Sequence, residues 1–209
     1  MFWADKVVDD ISKTAQPGEK LVVRDEKTAS GRVHVGSMRG VAIHGIVADA
    51  LSERGFKAEY LYEINDFDPM DGIPAELPAT DWEKYLGFPL CKVPSPDGIA
   101  KNFAEYFAKE YIDAIHEAGF TPEFYRASEL YLSGKMNEPI RMALEKADIV
   151  RNIYKEIYGT DKPTDWFPVQ VICENCGKVG TTKVSAFDGE KVSYTVYIGS
   201  SHRIVILYV

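Results

Sequence analysis

Thr28-Ala29-Ser30-Gly31-Arg32-Val33-His34-Val35-Gly36-Ser37 places a small-residue turn and a His-x-Gly step between two stretches of different periodicity. Upstream, Lys20 to Arg24 reads KLVVR, a short β-branched run of the kind that forms a strand. Downstream, from Gly36 to Arg54, the apolar residues Met38, Val41, Ala42, Gly45, Ile46 and Leu51 recur at helical spacing and make one face. The pattern predicts a strand, a turn and a helix that begins near Gly36. A helix start leaves its first N–H groups unpaired and its positive dipole end open, so a phosphate placed there gains several hydrogen bonds. Gly36 permits close approach, and His34 offers a further donor to phosphate oxygens, whose charge grows in the transition state of phosphoryl transfer. The same residues also suit an ordinary turn between strand and helix with a satisfied histidine, and at the level of this run both readings stay open.

Outward from the run, Ala58 to Ile64 (AEYLYEI) is a second strand, which makes a right-handed β–α–β unit with the first. Residues 65 to 98 are rich in Pro, Gly and Asp and too long for an ordinary connection, so they read as an insertion with packing of its own around Trp82, Tyr85, Leu86 and Phe88. Phe103, Tyr106, Phe107, Tyr111, Ala114 and Ile115 predict a helix over Lys101 to His116 with Gly119 as its cap, and Glu123 to Arg126 predicts a third strand. A helix is expected to start at Ser128 and to break at Ser133-Gly134. One long helix is expected from Asn137, as N-cap, through Ile140, Ala143, Leu144, Ala147, Val150, Tyr154 and Ile157, closed by Gly159, with its charges on a solvated face. The alternation of strands and helices is that of an α/β fold.

Composition narrows the classes. With 209 residues, 45% of them hydrophobic, the chain can bury one good core and a small appendage. No apolar stretch is long enough to cross a bilayer, and Met1 to Asp10 lacks the basic start and apolar core of a signal peptide, so a cytoplasmic protein is expected. Three cysteines, Cys91, Cys173 and Cys176, do not make a disulfide framework; Cys173-x-x-Cys176 reads as a zinc or redox pair, and Cys91 as a small buried residue. A formal charge of −8 argues against a generally basic nucleic-acid binder, though a local basic surface could still hold RNA. The acidic group Glu63, Asp66, Asp68 and Asp71 follows the second strand at the edge where α/β folds bind ligands; a cage for an ammonium group and plain turn chemistry both fit it.

Several blocks then occur in order. TASGRVHVGSMRG, EINDFDPMDGIP, EKYLGFPLCKVPSP, RASELYLSGKMNEPI and DWFPVQVICENCGK resemble successive blocks of the N-terminal, catalytic part of a class I lysyl-tRNA synthetase, and the likeness covers nearly the whole chain. In the first block Ala29 stands in place of the family's proline and Ser37 in place of the last residue of its His-Ile-Gly-His-like tetrad. The resemblance implies a Rossmann-type parallel sheet of the HUP-like kind over about 1–165, with the insertion at about 65–100, and a partial zinc-knuckle-like segment with a divergent tail over 166–209. It implies a lysine–tRNA ligase that joins lysine to ATP as lysyl-adenylate, releases pyrophosphate and passes the lysyl group to tRNA(Lys). By carry-over, Ala29, Ser30, Gly31, Arg32, Val33, His34, Val35, Gly36 and Ser37 form the ATP signature, with His34, Gly36 and Ser37 closest to the chemistry. Thr28, Ser30, Asp66 and Asp68 are the implied lysine contacts, and Mg²⁺ is expected on the pyrophosphate.

Four departures are expected. Lys135-Met136-Asn137-Glu138-Pro139 looks like the second class I signature but has the chemistry of a helix start, so that signature and the anticodon-reading domain are expected outside these residues. Cys173 and Cys176 form half of a zinc knuckle, while Thr195, Val196, Tyr197, Ile198 and Gly199 stand where the family has its second cysteine pair; His202 is the only nearby nitrogen donor. A second Cys/His cluster of some relatives corresponds here to Ile99, Ala100 and Tyr106. The tail from Val196 to Val209 (VYIGSSHRIVILYV) leaves the family pattern, and both a truncated, weakly active or inactive enzyme and a divergent strand fit it. Two other functions remain open: another nucleotidyltransferase with the same kind of signature, and a fragment that binds ATP or lysine without chemistry.

Overall fold

The computed structural model describes residues 2–16, 18–198 and 201–208. Its elements are α1 (Trp3–Ile11), β1 (Lys20–Thr28), α2 (Met38–Glu53), β2 (Lys57–Asn65), α3 (Ala79–Trp82), α4 (Phe103–Glu117), β3 (Glu123–Arg126) and α5 (Ala127–Leu132). Then follow α6 (Asn137–Glu145), α7 (Ala147–Tyr158), β4 (Thr182–Phe187), β5 (Lys191–Ile198) and β6 (Ser201–Tyr208). The chain divides into two units, residues 1–67, 74–77 and 90–128 in the first and 68–73, 78–89 and 129–209 in the second.

The first unit is an α/β layer. Its sheet runs β1-β2-β3, all parallel, with Lys20 opposite Lys57 and Thr28 opposite Asn65 at the two ends of the first pair. Parallel neighbours need long crossovers, and α2 and α4 supply them. Val23, Ala48, Leu51 and Val8 form a buried cluster between β1, α2 and α1. The strand is longer than the KLVVR run: it continues to Thr28, so the small-residue turn leaves directly from its C-terminal end. Asn102 caps α4 by accepting a hydrogen bond from the Glu105 amide at 2.9 Å, and Phe103, Phe107, Tyr111 and Ile115 are buried at four-residue steps below it.

Glu105 also accepts two hydrogen bonds from Arg126 of β3, at 2.6 and 2.9 Å. These bonds hold its carboxyl below the ordinary value of 4.5. A depressed carboxyl value means that the pair stabilises the fold fully above that pH and loses its effect as pH falls through the folded value. Glu105→Gln is expected to cost about 1–2 kcal/mol near neutrality, from hydrogen bonds to a charged group. The gap between the two proteins in urea midpoint should shrink as the pH is taken below 4.5.

The second unit is an antiparallel sheet, β4-β5-β6, with a register shift between Val184 and Ala186. Leu144 of α6, Val171, Cys173, Val184, Val192, Tyr194 and Val196 form its core. Part of the insertion joins this unit: the Met70 and Gly87 amides bond across to the Phe88 and Met70 carbonyls at 2.8 Å, and the Val179 amide bonds to the Gly87 carbonyl at 2.7 Å.

The structure differs from several expectations. The helix does not begin at Gly36; a 3-10 turn over Val35–Ser37 precedes α2. The long helix from Asn137 is two helices that meet at Lys146, whose φ of −105° and ψ of 25° leave the helical region, and Asn137 lies inside α6 without capping it. Gly159 does end α7, in the left-handed conformation that glycine adopts without strain. On α7 the surfaces also differ: Ile157 is exposed, whereas Arg151 is half-buried and donates to the Trp166 carbonyl at 2.8 Å. Cys91 is half-buried, and burial pushes its thiol up. Of the tail, Gly199, Ser200 and Val209 lie outside the described residues, as does Met1 at the other end; the rest of the tail continues β5 and forms β6.

Candidate functional site

The turn from Ala29 to Ser37 sits at the C-terminal end of β1, the edge where open parallel sheets bind ligands. Ala29 is buried and extends the pairing with β2 through a 3.2 Å bond from its amide to the Asn65 carbonyl. Beyond it, Gly31 lies against Pro74, and Arg32 donates to Glu110 at 3.1 Å. His34, Val35 and Gly36 are exposed. The Gly36 amide donates to the His34 ring nitrogen Nδ1 at 3.1 Å, and the Ser37 amide to the His34 carbonyl at 3.0 Å. With Nδ1 as acceptor, the neutral ring carries its proton on Nε2. The 3-10 turn therefore uses amides that a bare helix start would leave open, and the ring rests against Gly36, where a Cβ would stand 2.8 Å from it.

Behind the turn is a polar group that sequence reading missed. Tyr111 of α4 donates to the Ser37 carbonyl at 3.1 Å; its oxygen is also 3.1 Å from that of Tyr62, whose hydroxyl reaches the Glu26 carbonyl at 3.3 Å. Burial pushes both phenols above their ordinary value, so they stay neutral donors. Asp25 lies alongside, 3.3 Å from Nδ1 of His44, and approaches α2 closely because Gly40 has no Cβ, which would stand 2.6 Å from its carboxylate. Tyr62 and Tyr111 are 49 residues apart, and no local pattern joins them.

The acidic residues are placed differently from one another. Glu63 is buried and accepts from Arg24, which also bonds Tyr125, so all three are tied together on the sheet. Asp66 is buried as well, and its two carboxylate oxygens accept from the amide and hydroxyl of Ser128 at 2.8 and 2.6 Å. Asp68 and Asp71 are exposed and belong to the second unit. Thr28 and Ser30 are half-buried at the end of β1 and in the turn.

The sequence that folds into this strand, turn and helix has counterparts among known proteins. A family model described as tRNA synthetases class I (K) matches residues 1–207. The chain belongs to this family. Among its relatives, the lysine–tRNA ligase of Methanosarcina barkeri (strain Fusaro) is 37% identical over 203 residues, which is 96% of this chain and 37% of that protein. The lysine–tRNA ligase of Methanocaldococcus jannaschii is 32% identical over 195 residues, 93% of this chain and 36% of its own length. That of Pyrococcus horikoshii is 35% identical over 177 residues, 83% and 34%. The chain thus spans a little over a third of the length of the curated relatives it matches.

In this class I synthetase chain the cysteine pair lies on a tight turn. The Gly177 amide bonds the Cys173 carbonyl at 2.7 Å and the Cys176 amide reaches the Cys173 sulfur at 3.4 Å. Cys173 is buried in the core of the second unit, and Cys176 is half-buried beside Thr181. A closed zinc site needs four ligands. Thr195 to Ile198 lie on β5, with Val196 turned into the core, and among the described residues no group of three or more His, Cys, Asp or Glu side chains could hold a metal ion. The described residues do not fit a closed zinc site. No described helix is long and apolar enough to cross a membrane.

Proposed function

We propose that this chain is the ATP- and lysine-binding catalytic part of a cytoplasmic lysine–tRNA ligase, with residues 1–165 as the catalytic domain, the insertion at about 65–100, and 166–209 as a knuckle-like segment and tail. The observation that carries the reading is the exposed His34–Ser37 turn at the C-terminal end of a parallel strand, opening α2. ATP phosphates would dock there and take the Gly36 amide from the His34 ring. That exposed bond contributes about 0.5–1.5 kcal/mol, and a bond from the same amide to a charged phosphate is stronger, so the exchange is favourable. The freed ring then presents its Nε2 proton to a second phosphate oxygen, and the helix dipole adds to the attraction.

Lysine would lie beside Thr28 and Ser30 at the end of β1; Asp66 reaches its ammonium group only by giving up its Ser128 bonds. The lysine carboxylate attacks the α-phosphorus, a new P–O bond forms, and the bond to pyrophosphate breaks with its electrons leaving on the pyrophosphate oxygen. A carboxylate is ionised at neutral pH, so no base is needed; in-line positioning and charge stabilisation suffice. Mg²⁺ arrives with ATP as part of the substrate and neutralises phosphate charge. Transfer to the terminal adenosine of tRNA(Lys) would follow.

The Lys135–Pro139 segment runs into α6, which supports reading it as a helix start and not as the second class I signature, so no lysine of that signature is assigned among the described residues. The chain is expected to bind ATP but to catalyse lysine-dependent ATP/pyrophosphate exchange only very weakly. Exchange at ordinary synthetase rates would contradict the half-site reading, and an absence of ATP binding would remove the nucleotide reading altogether.

A further inference from the structure

A ligand site on a turn works only if the turn is held still, and this one is held in part by groups far from it in sequence. The turn's last carbonyl, that of Ser37, accepts the Tyr111 hydroxyl at 3.1 Å. Tyr111 stands on the middle of α4, is 4% exposed, and packs edge to face on Tyr62 with ring centroids 5.9 Å apart. Tyr62 is 1% exposed on β2 and donates to the Glu26 carbonyl of β1, two residues before that strand ends in Thr28. The two hydroxyls therefore link β1, β2, α4 and the start of α2 through a single chain of hydrogen bonds. A phenol contributes one proton. If Tyr111 donates to Ser37, the one Tyr62 proton is shared, as a bifurcated bond, between the Glu26 carbonyl and the Tyr111 oxygen.

Both hydroxyls are more costly to bury than phenylalanine rings would be, and a buried polar group without a partner costs about 1–3 kcal/mol. Packing alone needs no oxygen at either position. What the oxygens add is a fixed position for the Ser37 carbonyl, and with it for the His34 ring and the Gly36 amide one turn earlier.

We propose that Tyr111, backed by Tyr62, is a positioning residue for the phosphate-facing turn of the nucleotide site. The inference rests on the ATP reading above. It makes Tyr111 act through the turn without touching ATP, so its loss should weaken phosphate binding selectively and leave contacts to adenine and ribose alone.

The test uses the whole chain and Tyr111→Phe, which keeps the ring packing. Without ligand, hydrogen exchange of the Val35 to Met38 amides should quicken about tenfold while the melting temperature moves little. With ligand, ATP affinity measured by calorimetry should fall about tenfold and adenosine affinity should not change. In a His34→Ala background the Tyr111→Phe effect on ATP should shrink to that of the Gly36 amide alone, because both changes act on one turn. Tyr62→Phe, which leaves Tyr111 able to reach Ser37 but unsupported, should give a smaller loss in the same direction and serves if Tyr111→Phe does not fold. Unchanged ATP affinity, an equal loss for adenosine, or full additivity with His34→Ala would each overturn the positioning role. If the unaltered chain binds adenosine but not ATP, the phosphate reading of the turn fails first and takes the inference with it; if it binds ATP and only the Tyr111 effects are missing, the inference alone fails.

Discussion

Phe103→Ala should lower the stability of the first unit by about 3–5 kcal/mol, the usual cost of emptying a buried aromatic site. Phe103 is fully buried, its ring lies 4.9 Å from that of Phe107, and its amide bonds the Val93 carbonyl at 2.9 Å where α4 begins. The residue stands directly after the Asn102 cap, so the cavity would open beneath the first turn of the helix that carries Tyr111 and Glu105. Since whole domains are stable by only about 5–15 kcal/mol, the loss takes a large share. Urea denaturation followed by circular dichroism should show a much lower midpoint; a shift equivalent to less than about 1 kcal/mol would mean that the site collapses and that α4 does not rest on this ring.

His34→Ala has the opposite profile. The ring is exposed, so the fold should change by no more than about 0.5 kcal/mol. Its loss removes the Nε2 donor, a charge-assisted contact to phosphate in the proposed complex, while the Gly36 amide, no longer bonded to the ring at 3.1 Å, stays open to phosphate. ATP affinity should fall by about ten- to a hundredfold, the equivalent of roughly 1.4–2.8 kcal/mol. Calorimetric titration of ATP into the two proteins reads this directly, and equal affinities would show that the nucleotide phosphates lie elsewhere.

The parts of the fold that depend on local pattern were legible. The third strand, Glu123–Arg126, falls where the sequence places it, and the parallel β1-α2-β2 unit follows from a β-branched run, a turn and a helical apolar face. Other features depend on chain segments that meet only in three dimensions. Nothing near Tyr62 announces Tyr111, and Asp66, which reads as an open turn carboxylate, is bound by Ser128 62 residues away. The break at Lys146 has no glycine or proline to signal it; Leu144 and Ala147 are both buried on the two sides of the bend. The insertion reads as one element, yet its residues 68–73 and 78–89 group with the second unit, because Met70 and Phe88 pair with each other and Gly87 bonds Val179 next to the cysteine turn. At the signature itself the sequence marks His34 and Gly36 but not that the one bonds the other.

The roles proposed for His34, Gly36 and Tyr111 all require ATP phosphates at that turn. The most direct measurement is a titration of ¹⁵N-labelled chain with ATP, followed by the backbone amide signals. Gly36 and Ser37 should show the largest saturable shifts, Gly36 because its amide leaves the His34 ring, with Thr182 to Phe187 of β4 unmoved. No movement at Gly36 and Ser37 in the presence of millimolar ATP, or saturable shifts confined to the second unit, would contradict it.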